Sequence, residues 1–255
     1  MNIFQEEQVI LAKVKAENST LSKRPYLADY QSFASLFSPK NVAFNISKAG
    51  ILSFSLFLLE FNQHIDKKIA AQQRGEDVGD DIIGDYDWKS AKEKYMPIFL
   101  NFSSRFVGTS IIRKCYELVA VTSVELRIAD RLCKDAAKSF VRKCAKFTRS
   151  QALARILKTS LWSSVLLYAS SFTYDLLHNI FDFGVKGRKV DLSTIGNSVV
   201  WVVKKGSYYC ILLCFYAVGF SIGSYVSGDI GSLIGSALLE GVGNSIASSF
   251  LGLPS

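Results

Sequence analysis

Few residues in this chain have types and spacing suited to chemistry. Gly219-Phe220-Ser221-Ile222-Gly223 matches G-x-S-x-G, the elbow that presents a serine nucleophile. That chemistry needs a strand before the serine, a helix after it, and an acid and then a histidine downstream. The chain has 2 histidines, His64 and His178, and neither follows Ser221. The match therefore reads as part of an apolar helix. The 5 cysteines, Cys115, Cys133, Cys144, Cys210 and Cys214, form no C-x-x-C pair and read as reduced structural thiols. Without clustered Cys and His ligands no metal is expected. No P-loop, H-E-x-x-H or dinucleotide fingerprint occurs, so no cofactor is expected either. The reading is a protein that is not an enzyme.

The charged residues say more. Between Ser103 and Lys158 there are 13 Lys+Arg and four acids, so this stretch carries more than the whole chain's net +8. Apolar positions Leu118, Val121, Val124, Ile128, Leu132, Ala136, Phe140, Cys144 and Phe147 step by three or four, the spacing of one helical face. Arg127, Arg131, Lys134, Lys138, Arg142 and Lys146 lie beside or opposite that stripe. The pattern predicts one basic amphipathic helix, or two in succession. Its face would bind anionic lipid or a partner, each cation near such a surface adding about 1 kcal/mol. Nucleic acid is a less favoured partner, because the apolar stripe sits beside apolar helices. Glu240 is the single charge in residues 230–253. A carboxylate in hydrocarbon is costly, which makes Glu240 the candidate for a transport path. The plainer alternative is a wet carboxylate on a short interfacial helix.

Small residues form a third pattern. Eight of the 17 glycines lie between residues 219 and 252, including the pairs Gly219/Gly223 and Gly231/Gly235. Small residues at i and i+4 let helix backbones approach closely in lipid. They predict a tight helix hairpin or an oligomer interface, homomeric or heteromeric. Over about the last 40 residues the glycine spacing loosely resembles the glycine-rich spans of mitochondrial inner-membrane import channels.

The elements that must position these groups are helical. The 4 prolines stand at 25, 39, 97 and 254, leaving a long proline-free stretch. Gly206 to Gly228 is uncharged; these 23 residues make a helix of about 34 Å, enough to span a bilayer. Tyr208 and Tyr209 behind Lys204-Lys205 resemble an interfacial anchor. The expected organisation is a polar arm over 1–40, then an apolar helix over 41–73 that spans a membrane, lies on it or is buried as core. An acidic loop over 74–97 follows. Residues 98–158 are the basic amphipathic region, and 159–255 are membrane-embedded helices. Within the last, Thr159–Phe181 reads as a span or a re-entrant element.

The expectation is an all-α helical integral membrane protein with a basic amphipathic helical region and a glycine-rich C-terminal hairpin. Its membrane would be that of an intracellular organelle; the N-terminus lacks the apolar core of a secretory signal, and an internal span could serve as the targeting element. Its role would be scaffolding, assembly or membrane shaping. The alternatives are a small channel, carrier or protein-translocase component using Glu240, and a soluble helical lipid-binding protein.

Overall fold

The computed structural model describes residues 3–19, 26–74, 86–144, 146–185 and 192–252. These are all-helical: α1 (Ile3–Ser19), α2 (Pro39–Gln73), α3 (Trp88–Ser123), α4 (Leu126–Leu132), α5 (Ala136–Cys144), α6 (Arg149–Val185) and α7 (Leu192–Leu251), with a 3-10 turn at Phe33–Phe37. They divide into two compact units. One is Ser35–Gly108; the other joins Met1–Ala34 to Thr109–Ser255.

In the smaller unit α2 starts where Ser38-Pro39 dictates. The Ser38 side chain accepts from the Asn41 amide, and Pro39 fills a first-turn position where its missing N–H costs nothing. Trp88 to Pro97, expected in the acidic loop, is already helical, with Asp87 Oδ1 accepting the amides of Lys89 and Ser90 at 3.1 Å. The acidic run 75–85 itself lies outside the described residues. The start of α3 meets α2 through the Lys94–Glu60 ion pair at 2.5 Å, a bond from the Tyr95 hydroxyl to Glu60, and rings of Phe57, Phe61, Tyr86 and Trp88 with centroids 5.0–6.1 Å apart. α2 is not a buried core helix. Phe44, Ile51 and Phe54 are all more than half exposed.

In the larger unit the basic region is not one or two amphipathic helices. It is shared among the end of α3, the short α4 and α5, and the start of α6. The breaks have partners from the connection after α1. Asp130 Oδ1 accepts the Leu27 amide at 2.9 Å, and Asp29 Oδ2 accepts the Asp135 amide at 3.4 Å. Leu27 is held at φ 54°, a left-handed conformation costing about 1–2 kcal/mol, by that bond and by burial of its side chain. α1 is tied down likewise. The buried Glu7 carboxylate accepts the Tyr30 hydroxyl at 2.9 Å and the Phe33 amide at 2.7 Å. Two clusters form the apolar core. One joins Phe140, Ala152, Ile156 and Phe220 across α5, α6 and α7; the other joins Tyr168, Tyr209 and Leu212 across α6 and α7.

Candidate functional site

Two stretches of α7 approach each other backbone to backbone. A Cβ placed on Gly219 would fall 2.9 Å from the Leu239 Cβ and collide with the Gly235 carbonyl. One on Gly223 would fall 3.0 Å from the Gly235 Cα and collide with the Gly231 carbonyl. In a straight helix residues 219 and 235 would be about 24 Å apart. The stretch 196–226 therefore folds back against 230–251. Gly243 against Phe215, and Asn244 accepting the Tyr208 hydroxyl at 2.6 Å, continue the antiparallel register away from the turn. The structure thus brings Gly219, Gly223, Gly231 and Gly235 to one crossing. Gly241, which extends the small-residue spacing in the sequence, has open space around it.

Apart from Tyr209, Leu212 and Phe220, which are buried against α6, the buried side chains of these two arms are small or polar. Ser221, Ser224, Ser232, Ser236, Ala247 and Ser248 are buried, whereas Val226, Ile230, Leu233, Ile234, Leu238 and Phe250 are all more than half exposed. Ser221, the serine of G-x-S-x-G, sits inside a helix on both sides. Its hydroxyl donates to the Ala217 carbonyl at 2.7 Å. No elbow presents it.

α6 lies along the same arms through its own serines. Ser160 is fully buried, with its Oγ 3.3 Å from the Ala217 carbonyl and 3.5 Å from the Ser221 Oγ. Further along, polar contacts link the helices. Tyr168 donates to Glu240 Oε1 at 2.8 Å, while Tyr209 and Lys205 donate to Asp175 Oδ2 at 2.7 and 3.3 Å. Glu240 is half-buried here, an acceptor between α6 and α7. Asp175 and Tyr168 were not among the candidate site residues, and Lys205 was read only as part of an interfacial anchor with Lys204, Tyr208 and Tyr209. The available signal for Asp175 was a lone charge in an otherwise apolar stretch.

The six predicted cations do not share one surface. Arg127 and Lys146 are exposed. Lys138 pairs with Asp135 at 3.9 Å, and Arg142 with the part-buried Asp29 at 3.7 Å. Arg131 and Lys134 instead line a cavity of about 260 Å³ with Lys143, Arg155, Lys158, Thr159 and Trp162. Among the described residues no group of His, Cys, Asp and Glu is placed to hold a metal ion.

No family model matches the chain, and no curated protein or solved structure is significantly similar to it. The fold defines the class by itself: an all-helical protein. Among its described residues three helices are long and apolar enough to cross a membrane, Pro39–Gln73, Gly196–Val226 and Ile230–Leu251. Thr159–Phe181 is not one of them, because serines at 160, 163, 164, 170 and 171 dilute it.

Proposed function

We propose that this chain is a non-enzymatic integral membrane protein of an intracellular organelle membrane, acting as a scaffold, assembly or membrane-shaping component. The observation that carries the membrane reading is the exposure pattern of the two arms of α7. Serines, Ala217, Ala247 and the crossing glycines are buried, with Tyr209, Leu212 and Phe220 buried against α6, while Val226, Ile230, Leu233, Ile234, Leu238 and Phe250 are more than half exposed. In water each exposed side chain would forgo about 1–2 kcal/mol of burial, and a marginally stable fold does not tolerate many such losses. In lipid the outward face costs nothing, and close backbone approach at small residues supplies the association. The same small-residue faces suit assembly with a second helix or a second copy.

Alkaline carbonate extraction of membranes holding the full chain tests this reading. Retention in the pellet is the expected result. Release into the supernatant would leave the soluble, lipid-binding alternative and overturn the proposal.

A second reading is a small channel, carrier or translocase component. It is favoured by the polar contacts of Glu240, Tyr168, Asp175, Tyr209 and Lys205 between α6 and α7. Glu240→Gln separates the two readings in reconstituted vesicles. Lost flux with unchanged assembly supports transport. Full assembly with no flux in either protein supports scaffolding.

A further inference from the structure

The cavity between α4, α5 and the start of α6 holds an unusual concentration of one charge. Arg131, Lys134, Lys143, Arg155 and Lys158 line it, and the remaining lining residues are a hydroxyl and an indole, Thr159 and Trp162. Among the described residues no carboxylate lines it. Lys134 is 3.8 Å from Asp130.

The cations are held in place. Lys143 Nζ donates to the Arg155 carbonyl at 2.6 Å and also bonds the Thr159 hydroxyl. The Arg155 guanidinium stacks over the Phe147 ring, 3.8 Å from its centroid. Such a cluster is expensive without an anion. Burial, and then the charges of Lys134, Arg155 and Arg142, pull the Lys143 amine down to about 8. Residues that repel one another in a fixed cavity are arranged for a ligand that offsets the repulsion.

We infer that this cavity binds a phosphate-bearing anion, with Lys143, Lys158 and the two arginines as its ligands. Arginine matches phosphate oxygens through paired N–H groups, and lysine adds point charge. About 260 Å³ admits a phosphoryl group with the small moiety that carries it, below the size of an ordinary drug-sized pocket. Position supplies the source. Phe140 and Ile156, on the elements that line the cavity, pack against Phe220 near the end of the apolar arm Gly196–Val226, and the end of such an arm is where headgroups lie. The anion is therefore the phosphate of an anionic lipid headgroup, and a free phosphate compound offers the same chemistry. This source rests on the membrane reading, which carbonate extraction tests separately.

The test is calorimetric titration of the full chain in nonionic detergent micelles. The probes are dioctanoyl phosphatidic acid, inorganic pyrophosphate, dioctanoyl phosphatidylcholine and a single-stranded RNA oligomer. Saturable binding of the phosphatidate at one site per chain is expected, with none for the choline lipid. Lys143→Gln with Lys158→Gln should weaken it about tenfold or more. Arg127→Gln with Lys146→Gln, exposed cations outside the cavity, should change it by no more than about twofold. Saturable pyrophosphate binding with the same variant pattern keeps the site and makes a free phosphate compound its ligand. No saturable binding by either phosphate probe overturns the inference. So does an equal loss in the two double variants, or binding of the RNA alone. Lys158→Gln by itself serves if the double variant loses helicity. A carbonate-extractable chain that still binds pyrophosphate through Lys143 would sink the membrane reading and leave the cavity standing.

Discussion

At the scale of single residues, Lys143 is a partly buried cation set among other cations, bonded to the Arg155 carbonyl and the Thr159 hydroxyl. Its burial and its neighbours disfavour its charge. The neighbours are Arg131, Lys134, Arg142, Arg155 and Lys158, with Asp130 reaching Lys134. The folded-state value lies below the unfolded one, so the unfolded chain holds the proton more tightly between about pH 8 and pH 10.5. Stability lost through Lys143 is therefore lost in full below pH 8 and recovered as pH rises through that window. Lys143→Gln should raise the melting temperature at pH 7, and the gap from wild type should shrink by pH 10. A gap that is constant with pH would show that the charge is not what destabilises. Cys133 makes the opposite point. Burial, and then Glu117, push its thiol up to about 12, so it should be alkylated far more slowly than the exposed Cys115, as mass spectrometry after brief maleimide treatment would record.

At the scale of elements, stability comes from two helix contacts of different kinds. α6 meets α7 through the apolar clusters around Phe220 and Tyr209 and through buried serines; Ser164 bonds the Ser160 carbonyl of its own helix, while Ser160 also reaches the Ala217 carbonyl of α7. The arms of α7 meet backbone to backbone. Gly223→Ala puts a methyl group into the Gly231 carbonyl and should cost about 3 kcal/mol, or separate the arms. Gly241→Ala meets nothing and should be neutral or gain about 0.5–1 kcal/mol from helix propensity. Thermal unfolding in detergent measures both; equal losses would mean the crossing is not the contact that matters. The glycine spacing was legible because pairs at i and i+4 fix both interval and face, and the structure sets Gly219 and Gly223 against Gly231 and Gly235. The basic region was misread for a related reason. A three-four periodicity continues through the breaks at Glu125 and Asp135, and only tertiary bonds from Leu27 and Asp29, about a hundred residues earlier, reveal them. The cavity was half legible. Arg131 and Lys134 belonged to the counted row, but Lys143, Arg155 and Lys158 reach them only through the turns joining α4, α5 and α6.

At the scale of the whole molecule, the apolar helices are split between the two units. α2 lies in the smaller unit and both arms of α7 in the larger. α2 has the more open face, with Phe54 and Leu59 more than half exposed on a helix of 35 residues, about 52 Å long. Its Glu60 is paired with Lys94 and bonded by Tyr95, so the one acid inside its apolar half has its charge answered. Removing α7 therefore does not remove the last apolar helix. A chain ending at Lys205 should remain largely in the carbonate pellet. Adding Phe54→Arg and Leu59→Arg should release it, since an arginine at mid-bilayer costs at least about 2.5 kcal/mol. The full chain with the same two arginines should stay in the pellet, held by the arms at 196–226 and 230–251. If the Lys205 truncation is released on its own, α2 lies on the surface and the α7 arms are the sole anchor. If the full chain with both arginines is released, α2 is the anchor and the glycine crossing packs outside the bilayer.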